Sequence, residues 1–202
     1  MSAARDEILG RVRGALAGGT TPPDVVRNYQ RVGARTAAER LELLAERLAD
    51  YRADVHHVAE RDLATAVPEG RIGVPAGLPA AWRPPGAVED HGLTPRELDA
   101  LDGVLTGCTV AIAETGTLVL AAGPAEGRRA LTLVPDLHVC VVRPTQVVET
   151  VPEAFEALRG LERRPLTFVS GPSATSDIEL QRVEGVHGPR TLVVLILEQD
   201  TT

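Results

Sequence analysis

The hydrophobic pattern changes character along the chain. From Ala3 to Leu16 the apolar residues Ile8, Leu9, Val12 and Leu16 fall on one face of a helical period, with arginine and acids elsewhere. Gly18-Gly19 and Pro22-Pro23 then end that helix and begin a linker. The spacing predicts a second helix over Thr36 to Asp50, with Thr36 as N-cap and Glu39 completing a capping box. "DVHHVA" and "RIGVPAG" read as short strands, and the Pro- and Gly-rich stretch from Leu78 to Gly92 as irregular. "TPRELDAL" predicts a short helix: Thr94 caps it, Pro95 takes the first helical position and Glu97 the third.

The second half alternates more strongly. "CTVAIAE" and "GTLVLAA" are apolar strands separated by Thr115-Gly116, which predicts a hairpin or a bent strand pair. "HVCVV", "LTFVS" and "TLVVLIL" are further strands, and "PEAFEALRGL" is a helix. Continuous Val, Leu and Ile runs predict strands covered on both faces, and their alternation with helices predicts an α/β fold with a mostly parallel sheet. The helix at residues 1–20 forms an N-terminal arm. It could dock on a partner or pack on its own domain, and packing on its own domain is the expectation.

Composition narrows the function. The chain has 202 residues, 44% hydrophobic, which suits one domain with an appendage. Aromatics are 2% and the formal net charge is −7, so neither base stacking nor a phosphate-tracking surface is available for nucleic acid. Every basic residue apart from histidine is arginine. The lack of lysine excludes a Schiff base and a Walker-A site. The two cysteines, Cys108 and Cys140, stand apart inside apolar runs and read as buried thiols. No cysteine spacing suits zinc or an iron–sulfur cluster, and no GxGxxG follows a strand. Neither a signal peptide nor an apolar run of membrane-spanning length is present. A soluble, cytoplasmic protein is the expectation.

Four stretches carry candidate chemistry. In "AETGT", Glu114 ends an apolar strand, where a carboxylate could act as base or nucleophile; it could equally face solvent at a hairpin tip beside Thr115, Gly116 and Thr117. In "LVPDLHVC", His138 opens a buried strand and is a general-acid or structural histidine. In "GVHGPR", glycines including Gly188 flank His187 and let the backbone approach a ligand. "SGPSATSD" follows the "LTFV" strand with Ser170, Gly171, Ser173, Thr175, Ser176 and Asp177. Small hydroxyls and a glycine at the carboxyl end of an α/β strand predict an anion-binding loop, with His187 brought to the same cleft. "GPSAT" departs from the GxSxG nucleophile elbow at Thr175. No HExxH and no helical pair of ligands predicts a metal.

"AIAETGTLVL", "LVPDLHVCVV", "SGPSATSDIEL" and "GVHGPRTLVV", in this order, resemble the LUD-domain family over most of residues 36–197. The resemblance implies a NagB/RpiA/CoA-transferase-like α/β fold. It also implies a part in oxidising L-lactate to pyruvate together with iron–sulfur partner proteins, with the clusters on the partners and no cofactor on this chain. A stand-alone CoA-transferase-like or ligase-like enzyme using Glu114, or a ligand-binding regulator, is the alternative.

Overall fold

In the computed structural model, residues 3–18, 31–176, 182–184 and 187–198 are described, with 174–176 and 182–184 by backbone alone. In chain order the helices are α1 (Ala3–Leu16), α2 (Ala37–Asp50), α3 (Leu63–Ala66), α4 (Pro95–Asp99) and α5 (Val151–Ala157). The strands are β1 (Asp54–Val58), β2 (Ile72–Pro75), β3 (Val88–Asp90), β4 (Gly103–Gly107), β5 (Val110–Ile112), β6 (Thr117–Leu120), β7 (Leu137–Val142), β8 (Val147–Val148), β9 (Thr167–Val169), β10 (Ala174–Ser176), β11 (Arg182–Glu184) and β12 (Thr191–Leu197).

Six strands, in the order β1-β12-β7-β4-β2-β3, make one sheet in which every pairing is parallel. The two apolar runs at its centre explain themselves by period two. Cys140 and Val142 of β7 and Leu192, Val194 and Ile196 of β12 point to one face, where α2 adds Leu44 and Leu48. Val139 and Val141 with Val193, Leu195 and Leu197 point to the other, against Leu63 of α3 and Trp82. Both faces are therefore covered, and beyond their first residues both strands are buried throughout.

A second sheet, β8-β5-β6-β9, shares the α2 face. Its β5–β6 and β6–β9 pairs are antiparallel, so the Thr115-Gly116 turn closes a hairpin. Val110, Ile112 and Val119 on its outer side pack against Ala154 and Leu158 of the α5 region. β9 is an edge strand here and leaves Phe168 exposed. β10 and β11 form a separate antiparallel pair.

Three helices begin as their sequences dictate. Thr36, Thr94 and Thr150 each accept the backbone N–H of a glutamate three residues on, and that glutamate reaches back to the cap. Each cap is worth about 1 kcal/mol. The chain between α1 and α2 is pinned to α5: Gly33 N–H donates to Glu153, and Arg35 donates to the buried Glu149 through its backbone N–H and its guanidinium. The cysteines are free and buried.

Two expectations change. Packing of α1 on its own domain is the expectation, but among the described residues none of α1 is buried, and Ile8, Val12 and Leu16 are 62%, 48% and 69% exposed. "GVLTG", for which the sequence suggests no element, is a fully buried central strand; pairing to β2 and β7 on both sides supplies what its side chains do not. The stretch from Leu78 to Gly92, read as irregular, contributes the edge strand β3. Among the described residues no helix is long and apolar enough to cross a membrane.

Candidate functional site

A cleft of about 220 Å³ opens where the loops before β7 and β12 meet the end of β9. The arrangement differs from the expected one in a specific way. The cleft does lie at the carboxyl end of the "LTFV" strand, but that strand belongs to the second sheet. In the parallel sheet, His138 and Leu192 are the second residues of their strands, so the cleft sits at the amino edge. The rule that places ligands at carboxyl ends of parallel strands therefore does not position this site.

His138 forms the floor. It is buried, and its Nε2 lies 2.8 Å from Thr106 Oγ1 on the neighbouring strand β4. Burial, helped by the positive charge of Arg129, lowers its pKa to about 4. The imidazole is neutral at pH 7. Its other nitrogen has no protein partner among the described residues, yet it is not one of the buried unpaired atoms, and the ring lines the cleft. A neutral imidazole lining the cleft can offer that nitrogen as acceptor or donor, according to which way the Thr106 hydroxyl points.

Arg129 forms the wall. Its Nη1 donates to Thr132 Oγ1 at 3.1 Å and its Nη2 to the carbonyl of His187 at 3.3 Å. Among the described residues no carboxylate lies within ion-pair distance of it, whereas Arg128 beside it pairs with Asp90. Burial lowers its pKa, but a guanidinium keeps its charge in protein. Among the described residues two of its five N–H donors are used and no carboxylate answers the charge.

Hydroxyls complete the lining. The backbone N–H of Ser173 donates to Pro189, and its Oγ accepts the N–H of His187 at 2.9 Å; among the described residues the hydroxyl proton meets no acceptor. Ser170 Oγ lies 2.8 Å from Thr117 Oγ1, which also touches Thr115 Oγ1 at 2.7 Å. Thr117 has one proton. If it points at the Thr115 carbonyl, 3.3 Å away, Ser170 must donate to Thr117 and shows the cleft a lone pair; if it points at Ser170, Ser170 is free to donate to a ligand. Gly171, at φ +90°, runs against Tyr51, where a Cβ would lie 2.6 Å from the Tyr51 Cβ. Only glycine gives that approach.

The structure brings His138, Ser170, Gly171, Ser173, His187 and Gly188 together. His187 contributes through its backbone, which orients Arg129 and Ser173, while its ring is exposed. Thr117 stands behind Ser170. Glu114, Thr115 and Gly116 do not line the cleft. Glu114 is exposed in the hairpin turn, 4.0 Å from Arg35, and Gly116 is held at φ +57° against Arg47 of α2. Thr175 and Ser176 stand in β10, paired with β11. Asp177 lies outside the described residues. Arg129, Thr132 and Thr106 were not singled out from sequence. In a chain whose cations are all arginine, no local signal separates Arg129 from its surface neighbours. Among the described residues no three His, Cys, Asp or Glu cluster as metal ligands would.

These elements define a layered α/β protein with a small, hydroxyl-lined cleft in which, among the described residues, the charge of Arg129 meets no carboxylate. The chain belongs to the LUD domain family, which matches residues 27–197. It is 45% identical over 204 residues to the protein named lactate utilization protein C of Deinococcus radiodurans, covering 96% of this chain and 95% of that one. A lactate utilization protein C of Bacillus pumilus is 34% identical over 95 residues, 44% of this chain and 39% of that one. A crystal structure of a DUF162 family protein from Deinococcus radiodurans superposes with a TM-score of 0.71 at 40% identity, covering 82% of this chain and all of that one.

Proposed function

We propose that this chain is the small, cluster-free subunit of a cytoplasmic system that oxidises L-lactate to pyruvate with iron–sulfur partner proteins. The observation that carries the reading is the 45% identity to a lactate utilization protein C along nearly the whole of both chains. The cleft agrees in scale: about 220 Å³ suits a ligand of a few heavy atoms. The reaction releases two protons and two electrons. This sequence has no cysteine-cluster motif and no dinucleotide fingerprint. The electrons therefore pass to clusters on the partners. A NagB/RpiA/CoA-transferase-like relationship draws support from the all-parallel sheet.

The reading of a stand-alone transferase working through Glu114 has less support. Glu114 is away from the cleft, and the cleft is small for an acyl-CoA. The test is growth of a deletion strain on L-lactate, with co-purification of the chain from its native host. Failure to grow and recovery of iron–sulfur proteins are expected, with no iron or flavin on the chain purified alone. Normal growth would overturn the proposal.

A further inference from the structure

We propose that the cleft is a site for a short 2-hydroxy or 2-oxo monocarboxylate, its carboxylate held by Arg129 and its C2 oxygen by the free ring nitrogen of His138. This deepens the lactate reading and rests on it for the choice of probes, but the argument comes from the geometry.

Three observations select the ligand class. The first is charge. Among the described residues Arg129 is the one cation lining the cleft whose charge is fixed, and no carboxylate answers it. His138 cannot supply a second charge at neutral pH, because burial and Arg129 keep its ring neutral. One fixed positive charge matches a monoanion, whereas a phosphate dianion would be left half-compensated. The planar guanidinium fork also fits a carboxylate in two-point contact, and among the described residues three of its N–H groups remain unused.

The second is the neighbour of that charge. Arg129 and His138 both line this one cleft. A neutral imidazole with one nitrogen tied to Thr106 offers the other as either acceptor or donor. It can accept from a hydroxyl or, in the other tautomer, donate to a carbonyl. A group beside a carboxylate that changes between those two states is the C2 oxygen of a hydroxy acid and its oxo product.

The third is scale. The space is far below that of a nucleotide or a coenzyme A pocket, and Phe168 at its lip with Leu192 inside leaves apolar wall for a short carbon chain. Ser173, whose hydroxyl proton meets no acceptor among the described residues, supplies a further donor.

The experiment is calorimetric titration of the full chain with pyruvate, L-lactate, propionate and inorganic phosphate. Propionate is the matched acid without the C2 oxygen. Wild-type protein is expected to bind pyruvate or L-lactate at least about tenfold more tightly than propionate, the equivalent of about 1.4 kcal/mol, and to bind phosphate more weakly than either. Arg129→Met is expected to lower affinity for all the carboxylates by about 10- to 150-fold, and Arg129→Lys by less. His138→Gln is expected to keep carboxylate binding but erase the preference over propionate, a readout that a purely structural histidine would not move. Circular dichroism confirms that each variant folds; if one does not, the wild-type ligand ranking still decides. Equal binding of propionate and pyruvate, tighter binding of phosphate, or no carboxylate binding at 10-fold above about 1 mM, the weak end of small-ligand affinity, overturns the assignment. A strain that needs the gene for lactate growth while its product binds no carboxylate would sink this assignment and leave the lactate role. Carboxylate binding by a chain whose deletion leaves lactate growth normal would do the reverse.

Discussion

Acid should destabilise this protein well above the pH at which its paired carboxylates titrate, and His138 is the reason. The unfolded chain holds an ordinary histidine near 6.5, while the folded site holds it neutral down to about 4. Above pH 6.5 neither state binds the proton and the burial costs nothing. Between 6.5 and 4 the unfolded state takes up a proton that the folded state refuses, so stability falls with falling pH at up to about 1.4 kcal/mol per unit. Over the whole interval the loss is about 3 kcal/mol. Against a typical stability of about 5–15 kcal/mol that is a large share. Carboxylates behave differently: Asp90, for example, is held below its ordinary value chiefly by the hydrogen bond from Arg128, with burial opposing, so its contribution is lost only at lower pH. The assay is urea unfolding of wild type and His138→Gln at pH 7, 6, 5 and 4.5, read as the difference between the two proteins at each pH. Gln can keep the hydrogen bond to Thr106 and cannot titrate. The gap between the proteins is expected to shrink, and then to reverse in the variant's favour, as pH falls. Parallel pH profiles for the two proteins would refute the reasoning.

Three further outcomes follow from particular contacts. Gly171→Ala places a Cβ 2.6 Å from the Tyr51 Cβ and 2.9 Å from its carbonyl oxygen at φ +90°, so it should cost more than about 1 kcal/mol and lower Tm by several degrees in a thermal melt. Deleting residues 1–18 removes a helix with no buried residue, so Tm should move by less than about 2 °C; a larger fall would mean that α1 is covered in the working protein. Glu114→Gln removes an exposed charge 4.0 Å from Arg35 and should change stability by less than about 0.5 kcal/mol in urea while still supporting growth on L-lactate. Loss of growth with intact folding would put a working carboxylate at the hairpin.

What the sequence settles by itself is what depends on near neighbours. A capping box spans four residues, so Thr36 and Thr94 announce their helices without outside help. The apolar runs of β7 and β12 are long enough to demand cover on both faces, and they receive it. Thr115-Gly116 allows a hairpin or a bent strand pair, and the antiparallel pairing of β5 with β6 makes it a hairpin. The family motifs add a role, since four ordered stretches match where no single one is specific. The tertiary structure alone decides the rest. "GVLTG" is a strand because two neighbours hydrogen-bond it, a fact absent from its own side chains. The loop after β9 was legible in part as cleft lining: Ser170, Gly171 and Ser173 reach the cleft, while Glu114 turns to solvent because the hairpin is pinned by Gly116 against α2. The charge at the centre was not legible. Thr106 and His138 meet across 32 residues, and Arg129 and the His187 carbonyl across 58. Which groups stand beside an arginine is a property of packing at long range, which no local pattern encodes.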